Sequence, residues 1–183
     1  MKKKPKISVI TVVKNAEKTI LNTINSVLSQ NYENKEYIVL DGKSKDETIK
    51  IIKSKKKYLK KFISTNDSGI YDALNKAIKK CTGKYVAILH SDDIFYNKKV
   101  IKKKINYMIK NNLDFTFSNL EVVDNNNKVF RKVISKNYTP GYLKYGIHPP
   151  HPTLVMKRSI FKEIGFYSTK YKICSDFDFF AKL

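Results

Sequence analysis

Acids collect where apolar runs stop. Asp41 closes "EYIVLD", Asp67 lies just beyond "KKFIS", and the adjacent Asp92 and Asp93 follow "YVAILH". A single aspartate in such a place is ordinarily a cap or turn residue, and Asp41-Gly42 alone reads equally well as a turn. Three runs in succession that end near acids, in a chain of formal net charge +21, point instead to a shared ligand. Neighbouring carboxylates repel, and the repulsion is relieved by a divalent cation, by a ligand that donates hydrogen bonds, or by both.

The elements that must carry these acids alternate in type. "ISVITVV" is β-branched and apolar almost throughout, as a strand covered on both faces should be. "KTILNTINSVLSQ" places Ile20, Ile24, Val27 and Leu28 on one helical face. "EYIVLD" is a second strand, and "SKDETIKIIKSK" is a helix opening on Ser44, Asp46 and Glu47. "KKFIS" is a third strand. "GIYDALNKAIKKC" is a helix with Gly83 as its C-terminal stop, and "YVAILH" is a fourth strand. "NKKVIKKKINYMIKN" repeats the helical spacing at Ile101, Ile105, Met108 and Ile109. Such alternation predicts a mostly parallel sheet with helices on both faces, whose ligands bind beyond the carboxyl ends of the strands. After Leu113 the pattern changes. "DFTFSNLEVVDNNNKVFRKVI" reads as strands with a hairpin at "DNNNK", "TLVMK" as another strand, and "SIFKEIG" and "SDFDFFAKL" as short helices. The last helix ends on its own apolar face without a cap, so further native structure is expected beyond Leu183.

Composition narrows the function classes. Of 37 basic residues 35 are lysine, and Arg131 and Arg158 are the two arginines. Planar recognition of bases and phosphates favours arginine, so specific nucleic-acid binding is not expected. The lysine runs read as solvent faces of amphipathic helices, with attraction to anionic lipid as a second reading. Cys81 and Cys174 form no CxxC pair, which argues against a disulfide framework or a zinc site. "MKKKPKISVITVVKN" lacks a signal peptide's cleavage site, so a cytoplasmic protein is expected, with peripheral contact on an anionic membrane allowed.

The run from "ISVITVVKNAEKTILNTINSVLSQNYENKEYIVLDGKSKDET" through "NDSGIYDALNKAIKKCTGKYVAILHSDDIFY" resembles the N-terminal half of family 2 glycosyltransferases. "HPPHPTLVMKRSIFKEIGFYSTKYKICSDFDFFAKL" resembles the later part of members that build bacterial surface polysaccharides. The resemblance implies a GT-A fold: a Rossmann-like, mostly parallel α/β sheet with helices on both faces, plus a smaller mixed or antiparallel C-terminal part. It implies one domain over residues 1–183, with a nucleotide-sugar half (1–112) and an acceptor and catalytic half (113–183). It also implies roles. Thr11, at the end of the first strand, and Asn15 help hold the nucleotide. Asp41 accepts from the base, commonly uracil, and Asp67 lies at the nucleotide edge. "HSDD" matches the metal motif: Asp92 reaches the ribose or the metal's surroundings, and Asp93 holds Mg²⁺ or Mn²⁺ through the diphosphate. Many members carry aspartate where this chain has His90. "SDFD" matches the catalytic acidic pair, so Asp176 is the base, with Ser175 where glutamate is commoner. Asp178 reads as structural or acceptor-facing.

His151, in "HPPHPT", is either a metal or diphosphate ligand or a packing residue, and His148 is a weaker candidate of the same kind. Asn75 and Lys76 either approach the donor or pack. The implied reaction is metal-dependent, inverting transfer from a nucleoside-diphosphate sugar, a UDP-sugar foremost, to a saccharide or lipid-linked acceptor. A departing nucleoside diphosphate gains charge that a divalent cation offsets, and an attacking hydroxyl needs a base. Two other readings stand beside it. One is a non-catalytic remnant or basic polyanion-binding protein. The other is a nucleotidyltransferase, against which "TVVKNAEKT" counts because it has no glycine for a phosphate loop.

Overall fold

A strand covered on both faces has little room for polar side chains. In the computed structural model, which describes residues 4–124, 126, 128–135 and 139–183, β1 (Ile7–Val13) is buried at all seven positions. Its two polar residues are both partnered: Ser8 donates to Glu36 at 2.6 Å, and Thr11 accepts from the Tyr37 hydroxyl at 2.9 Å. Then follow α1 (Ile20–Leu28), β2 (Lys35–Asp41), α2 (Thr48–Ser54), β3 (Lys61–Ser64), α3 (Ile70–Ile78), β4 (Tyr85–Ile88) and α4 (Val100–Lys110). β1 pairs in parallel with β2 and with β4, and β2 in parallel with β3.

The later elements complete the same sheet. β5 (Phe115–Thr116) is followed by a hairpin of β6 (Leu120–Val123) and β7 (Val129–Val133), then by β8 (Val155–Lys157), α5 (Ile160–Glu163) and α6 (Ser175–Phe180). β8 runs antiparallel between β4 and β5, giving the order β3-β2-β1-β4-β8-β5. The hairpin forms a separate two-stranded sheet. Of the expected turn "DNNNK", Asn125 and Asn127 lie outside the described residues. The segment read as a loop before β8 contains two 3-10 turns, Pro140–Tyr145 and His151–Thr153.

Successive strand residues face opposite sides, so the sheet has two cores. Ile10, Val12, Ile38 and Leu40 pack with Leu74 and Ile78 of α3, Phe161 of α5, and Phe179 and Phe180 of α6. Ile7, Val9, Val13 and Val39 pack with Ile20 and Ile24 of α1, Ile52 of α2, and Ile101 and Ile105 of α4. Each such side chain contributes about 1.5–3 kcal/mol through burial. At the amino ends of the strands, buried Glu36 takes bonds from Lys6, Ser8 and Thr82. Burial pushes its carboxyl up, but these bonds outweigh burial and hold it down at about 2.

Two local expectations need correction. The second helix begins at Thr48, not Ser44: Ser44, Asp46 and Glu47 are used by a loop that bonds to the segment after β1. Gly83 does not end α3, which stops at Ile78. Gly83 instead passes against β1, where a Cβ would sit 2.6 Å from the Ser8 amide nitrogen. Among the described residues no helix is long and apolar enough to cross a membrane.

Candidate active site

The loops at the carboxyl ends of β1 and β2 are stitched together by their own side chains. Asn15 turns the chain in the left-handed region, at φ 50°, where asparagine is tolerated better than most residues. Its amide donates to Ser44 Oγ at 2.8 Å, and its Oδ1 accepts from the Lys45 amide at 2.8 Å. The Ala16 amide donates to Thr48 Oγ1 at 2.8 Å. A cavity of about 430 Å³ opens beside this seam, lined by Lys14, Asn15, Lys18, Asp46, Ser91 and Asp92 among others.

Asp41 is fully buried at the end of β2. The sheet register sets Asp41 beside Val13 on one side and Ser64 on the other. Ser64 Oγ donates to Asp41 at 2.7 Å, and both the amide and hydroxyl of Ser44 donate to it as well. Asp67 accepts from the Gly69 amide at 3.0 Å and rests against Gly42. A Cβ on Gly42 would overlap Asp67 Oδ2 and stand 3.4 Å from Lys14 Cδ, so glycine is what lets this carboxylate approach the end of β2. Lys14 therefore borders both the cavity and the Asp41–Asp67 corner. Thr11 does not reach either. β1 continues to Val13, and Thr11 lies inside it, fully buried under Tyr37, with no surface to offer a nucleotide.

The turn after β4 carries the next acids. Thr23 of α1 pins it by donating to the Ser91 carbonyl at 2.9 Å, and the Asp93 amide closes it onto the His90 carbonyl at 3.1 Å. Asp92 is exposed, and Asp93 is half-buried. Burial raises the Asp93 carboxyl above the usual aspartate range, and the Asp92 charge adds to this while His90 opposes it.

The C-terminal half meets this turn through histidine. The ring centroids of His90 and His151 are 5.7 Å apart. His151 is buried in the 3-10 turn before β8, and its Nε2 pairs with the Tyr167 hydroxyl at 2.9 Å. Burial pushes its imidazole down to about 4; His90 adds to the effect, and Asp176 pulls the other way. At neutral pH the ring is therefore uncharged. Asp176 accepts a bond from the Tyr71 hydroxyl at 3.1 Å. Asp178 pairs with Lys182 at 2.5 Å, and His148 stacks on Phe180 and also acts to lower the His151 imidazole. Asn75 clamps Tyr167 by both its backbone groups, at 2.8 and 3.0 Å. Lys76 is held by Asp72 and by the Asn66 carbonyl.

Sequence reasoning missed Tyr71 and Tyr167. The available signal for Tyr71 was its place in "NDSGIYD", on the first turn of a helix that starts just beyond a strand's carboxyl end. Tyr167 carried no such signal.

Among the described residues no three histidine, cysteine or acidic side chains converge to hold a metal ion. What is present is Asp93, half-buried next to the exposed Asp92, and His151, whose Nε2 is spent on Tyr167. One or two protein ligands suit a cation that brings its remaining ligands from a diphosphate and water, as Mg²⁺ usually does. The residues fit that kind of site and not a closed protein cage.

The sequence profile of Glycosyl transferase family 2 matches residues 8–178. The chain is 33% identical over 161 residues to the Escherichia coli UDP-Glc:alpha-D-GlcNAc-diphosphoundecaprenol beta-1,3-glucosyltransferase WfgD, covering 87% of this chain and 63% of that protein. Its fold superposes on S. aureus TarS in complex with UDP-GlcNAc with a TM-score of 0.79, at 24% identity, over 97% of this chain and 52% of the other. It also resembles the Pyrobaculum calidifontis mannosyltransferase PcManGT, in complex with GDP-Man and Mn²⁺, with a TM-score of 0.70 at 16% identity, over 92% of this chain and 49% of that one. The chain thus spans 49% to 63% of the length of these proteins. With the sheet order, the acids beyond its strands and this profile in agreement, the chain belongs to glycosyl transferase family 2 and has the GT-A fold.

Proposed function

We propose that the protein transfers a sugar from a UDP-sugar to a saccharide or lipid-linked acceptor, with inversion, in the synthesis of a bacterial surface polysaccharide. The observation that carries this reading is a run of contacts: the Asp93 amide on the His90 carbonyl, the His90 ring 5.7 Å from that of His151, His151 on the Tyr167 hydroxyl, Tyr167 against Tyr71, and the Tyr71 hydroxyl on Asp176. Asp93, the proposed cation ligand, and Asp176, the proposed base, are thereby linked, each from a different half of the chain. The names of WfgD and of the TarS complex support a uridine donor, and WfgD's a diphosphate-lipid acceptor.

Residues 1–112 hold the donor in this reading, and residues 113–183 bring the acceptor and the base. Asn15 shapes the nucleotide loop, Asp41 and Asp67 receive the base edge, and Asp92 lies at the cavity's rim. Asp93 would hold Mg²⁺ or Mn²⁺ for the diphosphate, with His151 as a second candidate ligand. Such a cation, when bound, offsets the charge that grows on the departing nucleoside diphosphate. The acceptor oxygen bonds to the anomeric carbon as the carbon–phosphate oxygen bond breaks, and Asp176 takes the acceptor's proton. Attack opposite the leaving group inverts the anomeric centre. The reaction belongs in the cytoplasm, with lysine-rich surfaces resting on anionic lipid.

Titration calorimetry with UDP tests the donor side. Mn²⁺ should tighten UDP binding by about tenfold or more, which corresponds to about 1.4 kcal/mol. Asp93→Asn should remove that gain while leaving metal-free binding unchanged. Equal affinity with and without the cation would overturn the metal role.

A further inference from the structure

Tyr71 enters the site from α3, the helix whose approach also carries Asp67. Its hydroxyl donates to Asp176 Oδ1 at 3.1 Å. Burial, and after it the Asp176 charge, push this hydroxyl above the ordinary tyrosine value, so it keeps its proton and acts as a donor toward the carboxylate. The ring is fixed as well. Its centroid lies 5.8 Å from that of Tyr167, at a 33° tilt. Tyr167 is buried, clamped through its backbone by Asn75, and anchored at its hydroxyl by His151. A phenol braced in this way has little freedom to swing off the carboxylate.

We propose that Tyr71 is a positioning residue, which orients the Asp176 carboxylate by occupying Oδ1 and leaves Oδ2 to receive the acceptor's proton. The proposal rests on the reading of Asp176 as base. An aspartate side chain has two rotatable bonds and samples several staggered states when nothing selects among them. Proton transfer needs the accepting oxygen within about 2.6–3.2 Å of the hydroxyl. A charge-assisted hydrogen bond from a braced donor selects one state, and its loss is expected to lower the transfer rate by roughly ten- to a hundredfold. Because "NDSGIY" holds both Asp67 and Tyr71, one short segment sets a donor-side carboxylate and the orientation of the base. This couples the two halves of the site at α3.

Tyr71→Phe keeps the ring and removes the hydroxyl. With the full chain, Mn²⁺ and a panel of UDP-glucose, UDP-N-acetylglucosamine and GDP-mannose, nucleotide release reads the rate of transfer to water, whose proton goes to the same base. The variant should lose about tenfold in kcat while its donor KM stays within about twofold and its Tm is unchanged. Asp176→Asn should lose more, and adding Tyr71→Phe to it should cost nothing further, since the two act as one unit. If Asp176→Asn is slow but Tyr71→Phe keeps the parent kcat, the proposal falls and the base assignment survives. If Asp176→Asn itself keeps the parent rate, the base assignment falls and takes Tyr71 with it. A Tyr71→Phe defect confined to KM or Tm overturns positioning in favour of donor contact or packing. A crystal structure gives a readout free of turnover: Asp176 should occupy more than one rotamer in Tyr71→Phe, and a single unchanged rotamer would contradict the proposal.

Discussion

The proposed donor side and the proposed base side are built over different distances along the chain. Asp41 takes its hydrogen bonds from Ser44, three residues away, and from Ser64, 23 residues away. Asp176 takes its bond from Tyr71, 105 residues away, and Tyr167 is clamped by Asn75 across 92. The first arrangement needs only neighbouring strands and the loops that leave them. The second exists only once the C-terminal segment has packed against α3, after the closure entropy of a long loop has been met. Damage to the donor side should therefore weaken binding locally. Damage to the base side should slow transfer, and where it breaks the clamp it should also loosen the junction between the halves.

The largest effect is expected at Asp176. Asp176→Asn keeps the shape and removes the basicity, and transfer should fall by about two to four orders of magnitude with UDP affinity nearly unchanged. A variant that lost UDP affinity instead would erase the distinction between the two sides. Next comes the clamp. Asn75→Ala strips partners from the amide and carbonyl of buried Tyr167 and should cost about 2–4 kcal/mol, read as a Tm drop of roughly 10 °C. If thermal unfolding is unmoved, the junction is not held at α3. The smallest effect belongs to the donor corner. Gly42→Ala forces Asp67 away from the end of β2, and UDP should bind about five- to tenfold more weakly with kcat and Tm close to the parent's. A large loss of kcat there would mean that Asp67 and the base are coupled more tightly than their separate hydrogen bonds indicate.

The amino-acid sequence by itself determined the alternating elements from β1 to α4 and the acids at their ends. Strand and helix periodicities are local, and an aspartate directly after a buried strand has few places to go. The short helix at "SDFD" was legible for the same reason, while its match to a catalytic acidic pair came only from the family resemblance. Tertiary structure alone decided the rest. β8 has only three residues, and nothing local says that it inserts antiparallel between β4 and β5. Thr11 was singled out only by the family resemblance; the strand read from the sequence already ran to Val13, and the packing of Tyr37 over Thr11 is what buries it. Nothing in the sequence analysis singled out Tyr71 or Tyr167. Their roles come from partners far along the chain, and a hydrogen bond between distant residues leaves no periodic trace in the sequence of either.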